Sequence, residues 1–150
     1  MWPIPGKENE YGLSYSSDAG HIIPGNEYLP AGAITPVIGL ALTVTGGQLA
    51  VASGTTVPAY ICQRTQEATL TAGDILPVIR VLPDMIFATT WSVAASSVHI
   101  GDKVTLSADG LQVTATTTSG VAEVVGMDGT AAGDTVYVRF PGAAASAPAY

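Results

Sequence analysis

The chain has 150 residues, a length that suits one domain or two small lobes sharing a core. Its formal net charge is −7 with only five basic residues, which argues against nucleic acid or an anionic membrane surface as a partner. Charged residues are only 11% of the chain, and this favours a protein that hides part of its surface in an oligomer or lattice.

Residues 1–33 contain four prolines, five glycines and no sustained periodicity. This composition predicts an extended N-terminal arm or a set of loops. The first residues have no basic segment followed by an apolar stretch, so we expect no secretory signal and synthesis in a cytoplasm. No apolar run is long enough to predict a membrane span.

Strand signals begin at Thr35. A two-residue turn at 46–47 predicts a hairpin in which Val44 lies opposite Leu49 and Leu42 opposite Val51. Further strands are predicted at 59–64, 75–82, 85–89, 122–127 and 135–140.

The turn Asp109-Gly110 lies between alternating runs, which is a strong hairpin signal. It predicts the pairs Ala108–Leu111, Leu106–Val113 and Val104–Ala115, with these six residues on one face. Lys103, Thr105, Ser107, Gln112 and Thr114 are predicted on the other face.

Two other features qualify the predicted strands. Pro77 has no backbone N–H, so it predicts an edge strand or a bulge. In the last strand Val136, Val138 and Phe140 share one face. No segment has convincing helical periodicity, and one turn near 91–97 is the most helix that we expect.

The strand and turn signals occur twice, as two degenerate units at about 35–83 and 98–141. We therefore predict an all-β protein, either a small barrel or a sandwich, with a β domain at 34–141. The Ala-rich segment 142–150 is predicted to be a C-terminal tail.

No residue pattern predicts catalysis, a cofactor or a metal. Gly-Asp occurs three times before a strand; a calcium site is one interpretation, but turns in which glycine supplies a positive φ fit the spacing better. Cys62 lies in an apolar run, which predicts a buried thiol and excludes an intrachain disulfide because it is the only cysteine. We expect that the protein is not an enzyme.

Five residues are candidates for contact with a partner. Arg80 and Arg139 occupy corresponding places near the ends of the two Gly-Asp strands, where each is a solvated residue, forms a salt bridge to a neighbouring aspartate or contacts an acidic partner surface. The N-terminal residues Trp2, Ile4 and Tyr11 could dock in a partner or fold back on their own domain.

The block from Gly32 to Phe140 resembles the capsid decoration (cement) proteins of tailed phages, which are small β-barrel or β-tulip head proteins. The resemblance is carried by ALTVTGGQLAVAS, by PVIRVLPDMIFATT at 77–90 and by AAGDTVYVRFP. The long N-terminal arm and the Ala-rich tail depart from the smallest members.

The resemblance implies a structural role on the outside of a virion. Such a protein binds the expanded capsid, bridges neighbouring major capsid subunits and sits as a trimer or monomer at local symmetry axes. The alternative is a receptor- or glycan-binding β module of a phage fibre, a tail or a cell-surface assembly. That function would need exposed aromatic side chains for sugar stacking, and Trp91 is the only tryptophan in the β region.

Overall fold

The protein is all-β, with two antiparallel five-stranded sheets. The structure, a computed structural model, describes residues 1–3 and 26–144. No helix occurs in these ranges, so none is long and apolar enough to cross a membrane. The strands are β1 (Trp2–Pro3), β2 (Glu27–Pro30), β3 (Ala41–Thr45), β4 (Gln48–Val51), β5 (Tyr60–Cys62), β6 (Ile75–Arg80), β7 (Phe87–Thr90), β8 (Lys103–Val104), β9 (Ala122–Met127) and β10 (Thr135–Arg139).

Each sheet has a simple strand order. Sheet 1 is β2-β6-β5-β3-β4 and sheet 2 is β1-β7-β10-β9-β8. In sheet 1 the end of β2 also approaches β4, through an isolated parallel bridge between Ala31 and Leu49. A similar bridge joins Trp91, just after β7, to Val113.

The first hairpin has the predicted register. In β3 and β4, Val44 lies opposite Leu49 and Leu42 opposite Val51. Both turn residues have positive φ, 59° at Gly46 and 78° at Gly47, which glycine adopts without strain.

The second hairpin is confirmed only near its turn. Leu106 lies opposite Val113, as predicted. The predicted pair Val104–Ala115 is wrong, because the register shifts: the N–H of Thr105 donates to the carbonyl of Thr116 rather than to that of Thr114. Val104 itself pairs with Ala122 of β9, so the first strand of the hairpin also joins sheet 2.

Thr105 and Ser107, two polar residues on the face opposite Leu106, are buried. The Thr105 hydroxyl lies 2.8 Å from the Thr114 hydroxyl. The Ser107 hydroxyl donates to Asp109 at 2.5 Å and accepts the N–H of Gln112 at 3.0 Å. Short polar side chains whose hydrogen bonds are satisfied by neighbours in the hairpin can be buried at low cost.

Pro77 lies in a central strand, so the predicted edge or bulge is wrong. β6 pairs with β2 on one side and with β5 on the other, in continuous register. The N–H of Gln63 donates to the carbonyl of Pro77, and Gln63 is one residue beyond the end of β5. The backbone N–H that Pro77 lacks would point toward Gln63, and the β5–β6 ladder ends there.

Two strands lie inside the range predicted as an arm. β1 pairs with β7, and β2 pairs along its whole length with β6. The β structure thus begins earlier than the predicted residue 34. At the other end of the chain, Ala143 packs against the core, while 145–150 lie outside the described residues.

The ladders of the two sheets have matching registers. Glu27 pairs with Val78 and Phe87 pairs with Val138, so adding 60 converts each pair of the β2–β6 ladder into a pair of the β7–β10 ladder. The backbone hydrogen bonds next to the two ladders are also related by a shift of 60. The N–H of Ala31 donates to the carbonyl of Asp74 at 2.8 Å, and the N–H of Trp91 donates to the carbonyl of Asp134 at 3.1 Å.

Both faces of sheet 1 contribute residues to a core. One face contributes Leu42, Tyr60, Cys62, Leu76 and Val78 to a smaller core cluster. The other contributes to a larger cluster, which it shares with the inner face of sheet 2. The shared members from sheet 1 are Ala41, Ile61 and Ile79, and those from sheet 2 include Phe87, Val104, Val124, Val136 and Val138.

The two hairpins provide a matched stability test. Leu49 and Val113 correspond, because each forms the parallel bridge of its sheet. Leu106 lies opposite Val113 and is 2% exposed, whereas Val44 lies opposite Leu49 and is 48% exposed. We expect Leu106→Asp to lower the free energy of unfolding by about 4 kcal/mol or more, because it buries an unpaired charge. Val44→Asp should cost less than about 1 kcal/mol. Urea denaturation measures both, and equal losses would contradict the assigned core face.

Candidate functional site

Arg80 is engaged inside the fold. It is 6% exposed and makes two bonds to the carboxylate of Glu27, at 2.8 and 3.1 Å. Its guanidinium also lies 5.1 Å from the centre of the Tyr60 ring. These contacts favour the salt-bridge interpretation of Arg80, with Glu27 rather than an aspartate as the partner.

Arg139 lies on the outer face of sheet 2 and pairs across the strands with Glu123. The guanidinium approaches one carboxylate oxygen at 3.0 and 3.1 Å. The Arg139 side chain is 40% exposed, so it stays accessible to a partner in a way that Arg80 does not.

The two arginines do not occupy corresponding places, contrary to the prediction. When 60 is added to the residue numbers of sheet 1, Arg80 corresponds to Phe140 of sheet 2 and Glu27 corresponds to Phe87. The rings of Phe87 and Phe140 lie 5.7 Å apart. An ion pair in sheet 1 therefore stands where sheet 2 has an aromatic pair. Counted from the Gly-Asp turns, Arg80 is seven residues after Gly73 but Arg139 is only six after Gly133, so the two arginines lie one position apart.

The N-terminal candidates are only partly described. Trp2 lies in β1, opposite Ala88. Next to it, the α-amino group of Met1 donates to the carbonyl of Gly39, and burial lowers the pKa of this amine to about 6. Ile4 and Tyr11 lie outside the described residues.

The three Gly-Asp sequences form the same turn. Each glycine has a φ of 90–97°, and each aspartate carboxylate accepts the N–H of the residue three positions earlier, at 2.9–3.0 Å. The pairs are Gly73-Asp74, Gly101-Asp102 and Gly133-Asp134. This is the turn geometry predicted from the sequence. Among the described residues, no three His, Cys, Asp or Glu side chains form a group suited to a metal.

Cys62 and Trp91 are both fully buried. The Cys62 thiol donates to the carbonyl of Arg64 at 3.1 Å, and burial raises the pKa of the thiol. The Trp91 indole donates to the carbonyl of Gly129 at 3.0 Å. Trp91 has no exposed ring face for stacking on a sugar, so the glycan-binding alternative loses the residue on which it was based.

Sequence reasoning missed an uncharged surface, which we call the outer strip. It consists of Tyr28, Pro30, Ile75 and Pro77 on the outer face of the β2–β6 ladder. Tyr28 is 67% exposed and Ile75 is 52% exposed. The alternation of Ile75, Pro77 and Ile79 along β6 is visible in the sequence, but the pairing with β2 is not.

No model of a known protein family matches the chain, and no curated protein does.

The two glutamate–arginine pairs should differ in their contribution to stability. Glu27→Gln removes a carboxylate that makes two bonds to the buried Arg80, so we expect the free energy of unfolding to fall by about 2–4 kcal/mol. Glu123→Gln breaks the more exposed pair and should cost less than about 1 kcal/mol. Urea denaturation at low salt measures both, and equal losses would contradict the greater contribution assigned to the buried pair.

Cys62 should be unreactive in the folded protein. Because the thiol is buried and its pKa is raised, we expect no reaction with Ellman's reagent at mildly alkaline pH until the chain is unfolded in guanidinium chloride. Rapid reaction of the native protein would mean that the smaller core cluster opens readily.

Proposed function

We propose that the protein is a structural component of a virion, which binds the outer surface of a phage capsid and stabilises the lattice of the major capsid protein. The observation that carries the proposal is the exposed, uncharged outer strip, centred on Tyr28 and Ile75. The polar side chains of the Gly-Asp turns and of the Glu27–Arg80 pair are engaged within the fold, which supports a scaffold that binds through its surface.

We also infer that the two sheets are copies of one duplicated unit. Their matching registers support this, as do the parallel bridges Ala31–Leu49 and Trp91–Val113. Each bridge brings the first strand of a unit to its hairpin, so each unit is a small sheet curled toward a barrel. Residues 1–25 then precede the first unit as the proposed arm.

The outer faces of the two units differ in a way that fits this arrangement. Across three strands of sheet 1, Ala41 lies next to Ile61 and Ile61 next to Ile79, and all three are buried against the second unit. The corresponding row in sheet 2 is charged and faces outward. Its members are Lys103, Glu123 and Arg139. A charged outer face prevents a further repeat from packing against it, so the proposed array ends after two units.

The proposed mechanism of stabilisation is mass action. A protein that binds the assembled shell better than its dissociated subunits shifts the equilibrium toward the shell. Modest contacts repeated over a lattice are sufficient, because each bridged pair of subunits adds an effectively intramolecular contact. No group needs to react, and the major capsid protein is the expected partner.

The proposal can be tested by copy number. We expect quantitative mass spectrometry of purified particles to give a ratio to the most abundant shell protein between about one to one and one to three, as repeated lattice contacts require. Particles that lack the protein should rupture at lower temperature. A handful of copies per particle, or unchanged rupture, would contradict the proposal.

A further inference from the structure

The edge of sheet 2 shows how an extended segment attaches to this fold. β1 is only two residues long and pairs with β7 in antiparallel register, with Trp2 opposite Ala88 and Pro3 opposite Phe87. This is strand addition, in which backbone hydrogen bonds supply the attachment.

The corresponding edge of sheet 1 is β2. The shift of 60 makes Tyr28 the counterpart of Ala88. The N–H of Ala31 donates to Asp74, and hydrogen-bonded pairs alternate along an antiparallel ladder, so the N–H and C=O of Tyr28 point away from β6. No strand in the described ranges pairs with Tyr28 on that side.

The surface beside this edge is suited to an uncharged partner. Residues 75, 77, 79 and 81 share one face of β6 because side chains alternate along a strand. Ile79 and Val81 are buried in the interface with the second unit, whereas Ile75 and Tyr28 are exposed. The outer strip is therefore a continuation of an apolar interface that already exists within the molecule.

Pro30 limits what can bind. It points its backbone to the same side as Tyr28 but has no N–H, so the edge has no donor at that position. A proline on an exposed edge is a known protection against long strand pairing. The site thus suits a short segment, comparable in length to β1.

We propose that the β2 edge binds a short, extended and uncharged segment of the major capsid protein. The segment pairs antiparallel at Tyr28 as Trp2 pairs at Ala88, and it places an apolar side chain against the outer strip. The β1 strand of a second copy is not the occupant, because β1 is already paired with β7 of its own chain. This inference rests on the proposed function and names the contact through which it acts.

The test measures binding of purified variants to capsids that lack the protein. Tyr28→Pro removes the outward N–H without touching a bond to β6, and proline is tolerated at such an edge position. We expect its affinity for capsids to fall about tenfold or more, as loss of one to two hydrogen bonds would give. Ile100→Ala is the control, since Ile100 is also 67% exposed but lies in a turn away from β2.

A second variant covers the case in which Tyr28→Pro disturbs folding. Tyr28→Ala with Ile75→Thr installs the residues that sheet 2 carries at the corresponding places, Ala88 and Thr135, so it should fold and still bind more weakly. Thermal melting and circular dichroism check that both variants are folded.

A photo-reactive phenylalanine analogue at position 28 identifies the occupant. We expect a cross-link to a segment of the major capsid protein. A cross-link to residues 4–25 of the same chain, or to a second copy, would overturn the proposal, as would equal binding by all folded variants. If the wild-type protein itself does not bind capsids, the proposed function fails, and this outcome is distinct from loss of binding in the variants alone.

Discussion

Sheet 1 packs against a core on each of its two faces, and most of the structure depends on this arrangement. β5 shows it most clearly, because Tyr60, Ile61 and Cys62 are consecutive and all buried. A strand with alternate residues exposed would need only one core. A strand buried on both sides needs a second layer, and the inner face of sheet 2 supplies it. The second unit is therefore part of the core of the first.

Much of the local structure could be predicted because hairpin signals act over few residues. The Gly46-Gly47 turn and the alternation around it determine which residues of β3 and β4 face each other, and the three Gly-Asp turns follow from one dipeptide. The prediction failed where the partner strand is distant in sequence. β2 has only four residues and gains its place from backbone bonds to β6, which no local pattern records.

The same limit explains the error at the arginines. Arg80 and Arg139 look equivalent because each stands near the end of a Gly-Asp strand and shortly before a proline, but backbone pairing determines which face a side chain occupies. A displacement of one residue moves a side chain to the opposite face. Arg80 therefore points into the first unit toward Glu27, while Arg139 lies on the outside of the second.

The two sheets leave the molecule with two unlike surfaces. The outer face of sheet 2 carries the charged row centred on Glu123, while the edge of sheet 1 carries the uncharged strip centred on Tyr28. Charge at one surface resists apolar stacking, and Pro30 at the other resists long strand pairing. The charged row and the uncharged strip therefore do not suit each other as an apolar contact between two copies of the chain. For a protein proposed to coat a lattice, this difference favours attachment through the strip over stacking of one copy on another.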